Sequence, residues 1–288
     1  MAYDENIRIR RLNTGDIEQA VRLSSSEGWN QTETDWKLLI CNPANICIAA
    51  EYDNKIAGTA TALNHSDELA WIGMVIVDKA LRGQGIGKLL MTSIIERLSH
   101  FRSVKLDATP AGLPLYKKLG FKEEFMIDRM ICNSFSVNKS FRENGKAAII
   151  SKSDMSSILE LDKQVFGTSR EYLLERLFSD YPEKALKLTV NRVIGGYVFG
   201  RKGIRYNYMG PLSASSHESA CILMKSALSS LNGQPVVVDV LYDKTPLINL
   251  LESAGFEKQR HFTRMYLKNN VIQGDPAKYY LISGPEYG

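Results

Sequence analysis

Along this chain apolar residues alternate with polar ones, or recur at helical spacing, in one order that appears twice. In the first half, residues 7–10 read as a strand, 16–27 as a helix opened by a Thr14-Gly15-Asp16 cap, and 29–39 as a further element. Residues 46–52 and 56–63 flank a turn at Asp53-Asn54-Lys55 and predict a hairpin. The β-branched run 71–77 predicts a buried strand, 88–98 carry apolar positions at helical spacing, and 104–107 predict another strand. In the second half residues 147–150 predict a strand and a Ser153-Asp154 cap opens a helix to Phe166. An element at 169–179 follows, then two strands, 186–191 and 195–200, around a turn at Arg192.

The two halves close alike. Leu119-Gly120-Phe121 and Asp128-Arg129-Met130 answer Ala254-Gly255-Phe256 and Thr263-Arg264-Met265, with Gly120 to Gly255 and Arg129 to Arg264 the same distance apart. An equal offset at two places indicates an internal duplication. The polar, aperiodic stretch 133–146 reads as a linker between domains at 1–132 and 147–288. The expected fold class is α/β, an α+β mixed sheet flanked by helices in each of two tandem copies.

At 288 residues, 44% hydrophobic and 24% charged, the chain has the composition of a globular protein of about two domains. A net charge of +4, spread without dense basic blocks, gives no footprint for nucleic acid. The start, Met1-Ala2-Tyr3-Asp4-Glu5-Asn6, lacks a basic and apolar leader, and no apolar run approaches the roughly 18 residues of a membrane span. A cytoplasmic protein without membrane partners is expected. Cys41, Cys47, Cys132 and Cys221 have no C-x-x-C spacing and read as buried free thiols, while the four histidines are dispersed, so no metal is expected.

Between the strand at 71–77 and the helix at 88–98 stands Arg82-Gly83-Gln84-Gly85-Ile86-Gly87. Glycines at such a junction clear side chains from the backbone, and the helix's first N–H groups then face a ligand with the positive end of the dipole. That suits a phosphate; a plain connecting turn explains the glycines equally well. The order of glycines is neither a dinucleotide fingerprint nor a Walker loop. In the second half the matching stretch is Ser215-Ser216-His217-Glu218-Ser219-Ala220, without glycine and with an acid that repels phosphate.

The glycine turn, with Lys88-Leu89-Leu90 after it and Leu115-Tyr116-Lys117-Lys118-Leu119-Gly120-Phe121 further on, resembles the GNAT superfamily of acetyl-CoA-dependent N-acetyltransferases over about residues 5–132. The second half resembles the same fold in weaker form, as in bacterial tandem-domain members whose C-terminal half is degenerate. The resemblance implies that backbone amides of Gly83, Gln84, Gly85, Ile86, Gly87 and Lys88, beside Arg82, hold the coenzyme A pyrophosphate. It further implies a strand splayed at its end, with Val75 and Val77 pairing the pantetheine arm and an amide such as that of Ile76 facing the thioester carbonyl. Tyr116 falls on the family's proton-donor tyrosine, or packs on the cofactor sulfur. Thr109 stands where many members carry Asn.

The resemblance implies transfer of an acetyl group by direct attack in a ternary complex, to a primary amine of a small metabolite, amino acid or peptide. A non-catalytic acyl-CoA sensor or a transferase of another acyl group are the alternatives. Asp67, Glu68, Glu33 and Asp35 are candidate bases, each equally a solvated surface charge. Residues 28–36, with Asn30, Gln31, Glu33 and Asp35 between Trp29 and Trp36, fall where the family places its substrate loop, the tryptophans either framing a small polar amine or anchoring the core. The second half is expected to shape the substrate site, through residues 205–211, rather than to hold a second one. A monomer is slightly favoured over a homodimer.

Overall fold

The computed structural model describes residues 7–137 and 147–288, so the first six residues and most of the expected linker lie outside the described residues. The first half contributes β1 (Arg8–Arg11), α1 (Ile17–Ser26), α2 (Glu33–Ile40), β2 (Ile46–Tyr52), β3 (Lys55–His65), β4 (Leu69–Val77), α3 (Ile86–Arg97), β5 (Ser103–Ala108), α4 (Leu113–Lys118) and β6 (Lys122–Cys132). The second repeats the order with β7 (Ala148–Ile149), helices Met155–Phe166 and Glu171–Asp180, β8 (Leu186–Val190), β9 (Val193–Arg201) and β10 (Asn207–Ala214). Helix His217–Ser229, β11 (Val236–Leu241), helix Thr245–Ser253 and β12 (Glu257–Lys268) complete the repeat, and β13 (Tyr279–Leu281) is added at its end.

The helix starts sit slightly upstream of the expected caps. Asn13 and Ser151 each form a capping box with the acid three residues on, Asp16 and Asp154, and a short 3-10 turn then leads into the α-helix. Thr32 and Asp35 do the same for α2.

All thirteen strands join one sheet in the order β1-β2-β3-β4-β5-β12-β6-β11-β13-β10-β9-β8-β7. The halves exchange their last strands. β12 pairs antiparallel with β5 of the first half, and β6 pairs antiparallel with β11 of the second. The exchange explains the repeated arginines: Arg264 lies opposite Asp107, and Arg129 opposite Asp239. Each pair is bidentate and buried, at 2.9 and 3.0 Å for Arg264–Asp107 and 2.7 Å twice for Arg129–Asp239. A buried guanidinium–carboxylate pair is sustained only by such complete hydrogen bonding.

Alternate strand residues serve opposite cores. On β2, Cys47 and Ala49 join the core shared by both halves, where Trp36, Leu39, Phe166 and Leu174 meet, whereas Ile48 and Ala50 pack beneath α3. A third core lies under the helices His217–Ser229 and Thr245–Ser253. On β4 the parity slips: Leu69 and Trp71 face the shared core, and so do Met74 and Ile76. A bulge between them, with Met74 at φ 49°, accounts for the extra residue.

Candidate active site

The glycine turn folds as a nest at the start of α3. Gly83 and Gly85 take φ of 81° and 82°, a left-handed geometry that side chains disfavour, and Gly85 leaves the helix start without a side-chain cap. The first-turn amides therefore lack intrahelical partners. Ile86 is buried in the core, so only its backbone faces outward, while Gln84 and Lys88 are exposed. Arg82 closes the turn, its Nε donating to the Val77 carbonyl at 3.2 Å and its guanidinium pairing with Glu27. An anion can be met there by backbone amides with a cation at their edge.

β4 and β5 pair in parallel only from Leu69↔Ser103 to Ile72↔Leu106, and beyond Ile72 the strands separate. Hence, among the described residues, the edge of β4 from Gly73 to Val77, which includes Val75 and Val77, has no strand partner on that side. At the bulge, Thr61 donates to the Gly73 carbonyl at 3.1 Å and Thr59 to the Met74 carbonyl at 2.8 Å. In a planar trans peptide the following N–H points the other way. The amides of Met74 and Val75 thus turn from β3 towards the opening. Ile76, the residue expected for this job, instead stands opposite Thr59 in the β3–β4 ladder.

A cavity of about 70 Å³ opens at this divergence, and Met74, Val75, Thr109 and Tyr116 line it. The Tyr116 ring lies across Gly112, where an added Cβ would come within 2.8 Å of the ring, so the glycine fixes the ring's position. Burial pushes the Tyr116 phenol up to about 12. Thr109 Oγ1 accepts from the Gly112 amide at 3.3 Å, leaving its own proton to donate.

The expected substrate loop divides. Trp29 lines the cavity, but Trp36 is fully buried, its Nε1 donating to Ser24 at 3.3 Å, and anchors the core. Asn30 does not line the cavity. Its side chain clasps the second half, accepting from the amides of Arg205 and Tyr206 at 2.9 and 3.0 Å and donating to the Tyr206 carbonyl at 3.0 Å. Arg205 and Tyr206 thus hold the loop in place, but none of residues 205–211, expected to shape the substrate site, lines the cavity, and Tyr208 is buried against Asp239.

None of the four candidate carboxylates lines the cavity. Glu33 is exposed and pairs with Lys37, Asp67 is exposed beside Asn64, and Glu68 pairs with Arg102 and accepts from Thr168. Asp35 is buried in its capping box and in a pair with Arg201.

From the expected substrate loop Gln31 also lines the wall; sequence reasoning missed what the second half supplies, Arg260 and Phe262 from β12 and Pro285 and Glu286 from the segment after β13. That segment packs tightly on the bulged strand: a Cβ on Gly73 would lie 2.7 Å from the Glu286 Cα, and Trp71 Nε1 donates to the Pro285 carbonyl at 3.0 Å. Only the strand exchange brings β12 here, and no local pattern announces an exchange.

The corresponding places in the second half are closed. Ser216 caps its own helix, accepting from the Ser219 amide at 3.1 Å where Gly85 leaves α3 open. β10 and β11 also diverge after Met209↔Val238, but β13 fills the gap, with Leu281 paired to Leu212 and to Val240. Of the thiols expected to be buried, Cys47 and Cys132 are so, Cys221 is partly so, and Cys41 is exposed.

Comparison with known proteins agrees with these two halves. A model described as the acetyltransferase (GNAT) family matches residues 16–121, and one described as an acetyltransferase (GNAT) domain matches residues 158–281. The chain is 27% identical over 277 residues to the uncharacterized N-acetyltransferase YitH of Bacillus subtilis, covering 95% of this chain and 96% of that protein. It is 26% identical over 231 residues to holothin acyltransferase of a Pseudoalteromonas species, covering 80% and 77%. In fold, a Pyrococcus horikoshii crystal structure matches 100% of this chain and 98% of its own at a TM-score of 0.80 and 21% identity.

Proposed function

Because this chain belongs to the GNAT acetyltransferases, with two domains of that family in tandem, we propose that its first half transfers acetyl from acetyl-CoA to a primary amine by direct attack in a ternary complex. The observation that carries this is the cavity where β4 leaves β5, with Tyr116 on one wall and the strand-free edge of β4 on the other. When bound, acetyl-CoA supplies the acetyl thioester. The amides of residues 83–88 hold its pyrophosphate, Val75 and Val77 offer backbone groups to the extended arm, and Thr109 donates nearby. The amides of Met74 and Val75 stabilise negative charge on the carbonyl oxygen as the amine attacks.

The attacking nitrogen gives up a proton to water as the amide forms, and Tyr116 gives its phenolic proton to the sulfur as the C–S bond breaks and regains one from water. Burial makes the Tyr116 phenol a weaker acid than an ordinary thiol near 8.5. Transfer is therefore completed as the sulfur, leaving into the same buried site, has its own proton affinity raised. The second half acts by completing the acceptor side of the cavity through Arg260, Phe262 and residues 285–286, and one active site per chain follows from the closed second copy.

The test is release of free thiol from acetyl-CoA with a broad panel of amines. Turnover with at least one amine, falling about 100-fold or more in Tyr116→Phe with the acetyl-CoA KM within about twofold, is expected. Tight acetyl-CoA binding without thiol release on any amine would instead make the chain a binding module.

A further inference from the structure

The acceptor side of the cavity carries two polar groups that nothing in the protein satisfies. Arg260 has no hydrogen bond or ion pair among the described residues, and its Nε is buried without a partner. Burial and the neighbouring Arg129 lower its affinity for its own proton, Asp239 offsetting them only in part, and its guanidinium lies 5.4 Å from the Phe262 ring centroid. Gln31 is 93% buried, at 7% exposure, and its Oε1 is likewise without a partner. Gln31 shares the cavity wall with the Glu286 carboxylate, and its unpartnered amide oxygen is the group left for a ligand.

The charges behind these two groups have opposite signs. Arg201 is shared by two buried carboxylates, Asp35 at 2.9 Å and Glu286, so acids outnumber the cation in that cluster, and burial raises the affinity of Glu286 for a proton. Arg129 and Arg264 are each neutralised by their own aspartate, which leaves Arg260 as the uncompensated positive charge of the cavity wall. Leaving buried groups of both kinds unsatisfied costs stability unless a ligand meets them. A neutral or purely cationic amine would satisfy Gln31 and leave Arg260 bare.

We propose that the acceptor is a free amino acid, its carboxylate held by Arg260 and its ammonium held by Gln31 Oε1 against the Glu286–Asp35 cluster. This rests on the acetyltransferase reading and names the substrate class of the same site. A small cavity and a single free guanidinium fit a carboxylate, whereas a phosphate would call on more donors. The coenzyme phosphates are accounted for at the other end of the splay, at the start of α3.

The experiment compares kcat/KM for the twenty L-amino acids with their α-carboxamides and the corresponding decarboxylated amines, using the full chain and acetyl-CoA. For the preferred side chain the free acid should exceed its carboxamide by about 10- to 100-fold. Arg260→Gln should erase that preference by raising the KM for the acid, leaving the carboxamide and acetyl-CoA values within about twofold, and Arg260→Lys should restore part of it. Carboxamides or simple amines turned over as well as the acids would overturn the proposal while leaving the transferase reading intact. So would a loss of acetyl-CoA affinity in Arg260→Gln, which would put Arg260 on the cofactor. No thiol release with any member would remove the transferase reading itself. Should Arg260→Gln fail to fold, the wild-type comparison of acid with carboxamide decides alone.

Discussion

At the scale of single residues, the chemistry gathers around Tyr116, and its burial has a consequence for pH. With the phenol at about 12, the proposed proton donor stays protonated throughout the neutral and moderately alkaline range. Activity lost by deprotonating Tyr116 should therefore appear only above about pH 11. A wild-type limb near pH 10 that vanishes in Tyr116→Phe would contradict the burial. Gly112→Ala tests the positioning of the same ring, since the new Cβ would fall 2.8 Å from it. The expected result is a kcat loss approaching that of Tyr116→Phe with little change in melting temperature. The places of the tyrosine on the cavity wall and of the glycine turn at the start of α3 were legible in the sequence because each sits in a short local pattern. Glu33 and Glu68 misled because an acid near a site in sequence is cheaply absorbed by a neighbouring lysine or arginine, here Lys37 and Arg102.

At the scale of elements, the two helix starts set the copies apart. Gly85 leaves α3 open, and Ser216 caps its counterpart. Ser216→Ala should cost about 1 kcal/mol of stability, read by denaturant unfolding, and leave activity unchanged. The exchanged strands carry the larger energies. Removing one member of a buried pair, as in Asp239→Ala, strands Arg129 and should destabilise by about 3–5 kcal/mol. Replacing both members with apolar residues should cost less. Most elements were readable from periodicity, and the equal spacing of the arginines marked the duplication. That spacing did not reveal that each arginine serves the other half, because a repeat looks the same whether its last strand stays home or crosses over.

For the whole molecule, the two halves share a sheet and a core, and the site depends on both. His65 reports on that shared core. It is buried, its Nε2 donates to the Tyr287 carbonyl at 3.1 Å, and burial, reinforced by Arg170, holds its pKa at about 3. Its unfolded value is near 6.5, so the unfolded chain binds the extra proton first as pH falls. Stability is thus intact above about pH 6.5 and declines by up to about 1.4 kcal/mol per unit as pH drops towards 3. Urea midpoints measured from pH 7 to 4 should show this slope, and His65→Gln should flatten it. The segment that contacts His65 also lines the cavity, a link no sequence pattern indicated, because residues 283–288 gain their meaning only from where β13 leaves them.

Calorimetric titration of the full chain with acetyl-CoA tests the central claim most directly, that one copy is live and the other closed. One molecule bound per chain is predicted, with binding abolished by Gly85→Asp, which puts a carboxylate at the open helix start. Two molecules bound, none, or one that survives in Gly85→Asp would contradict it.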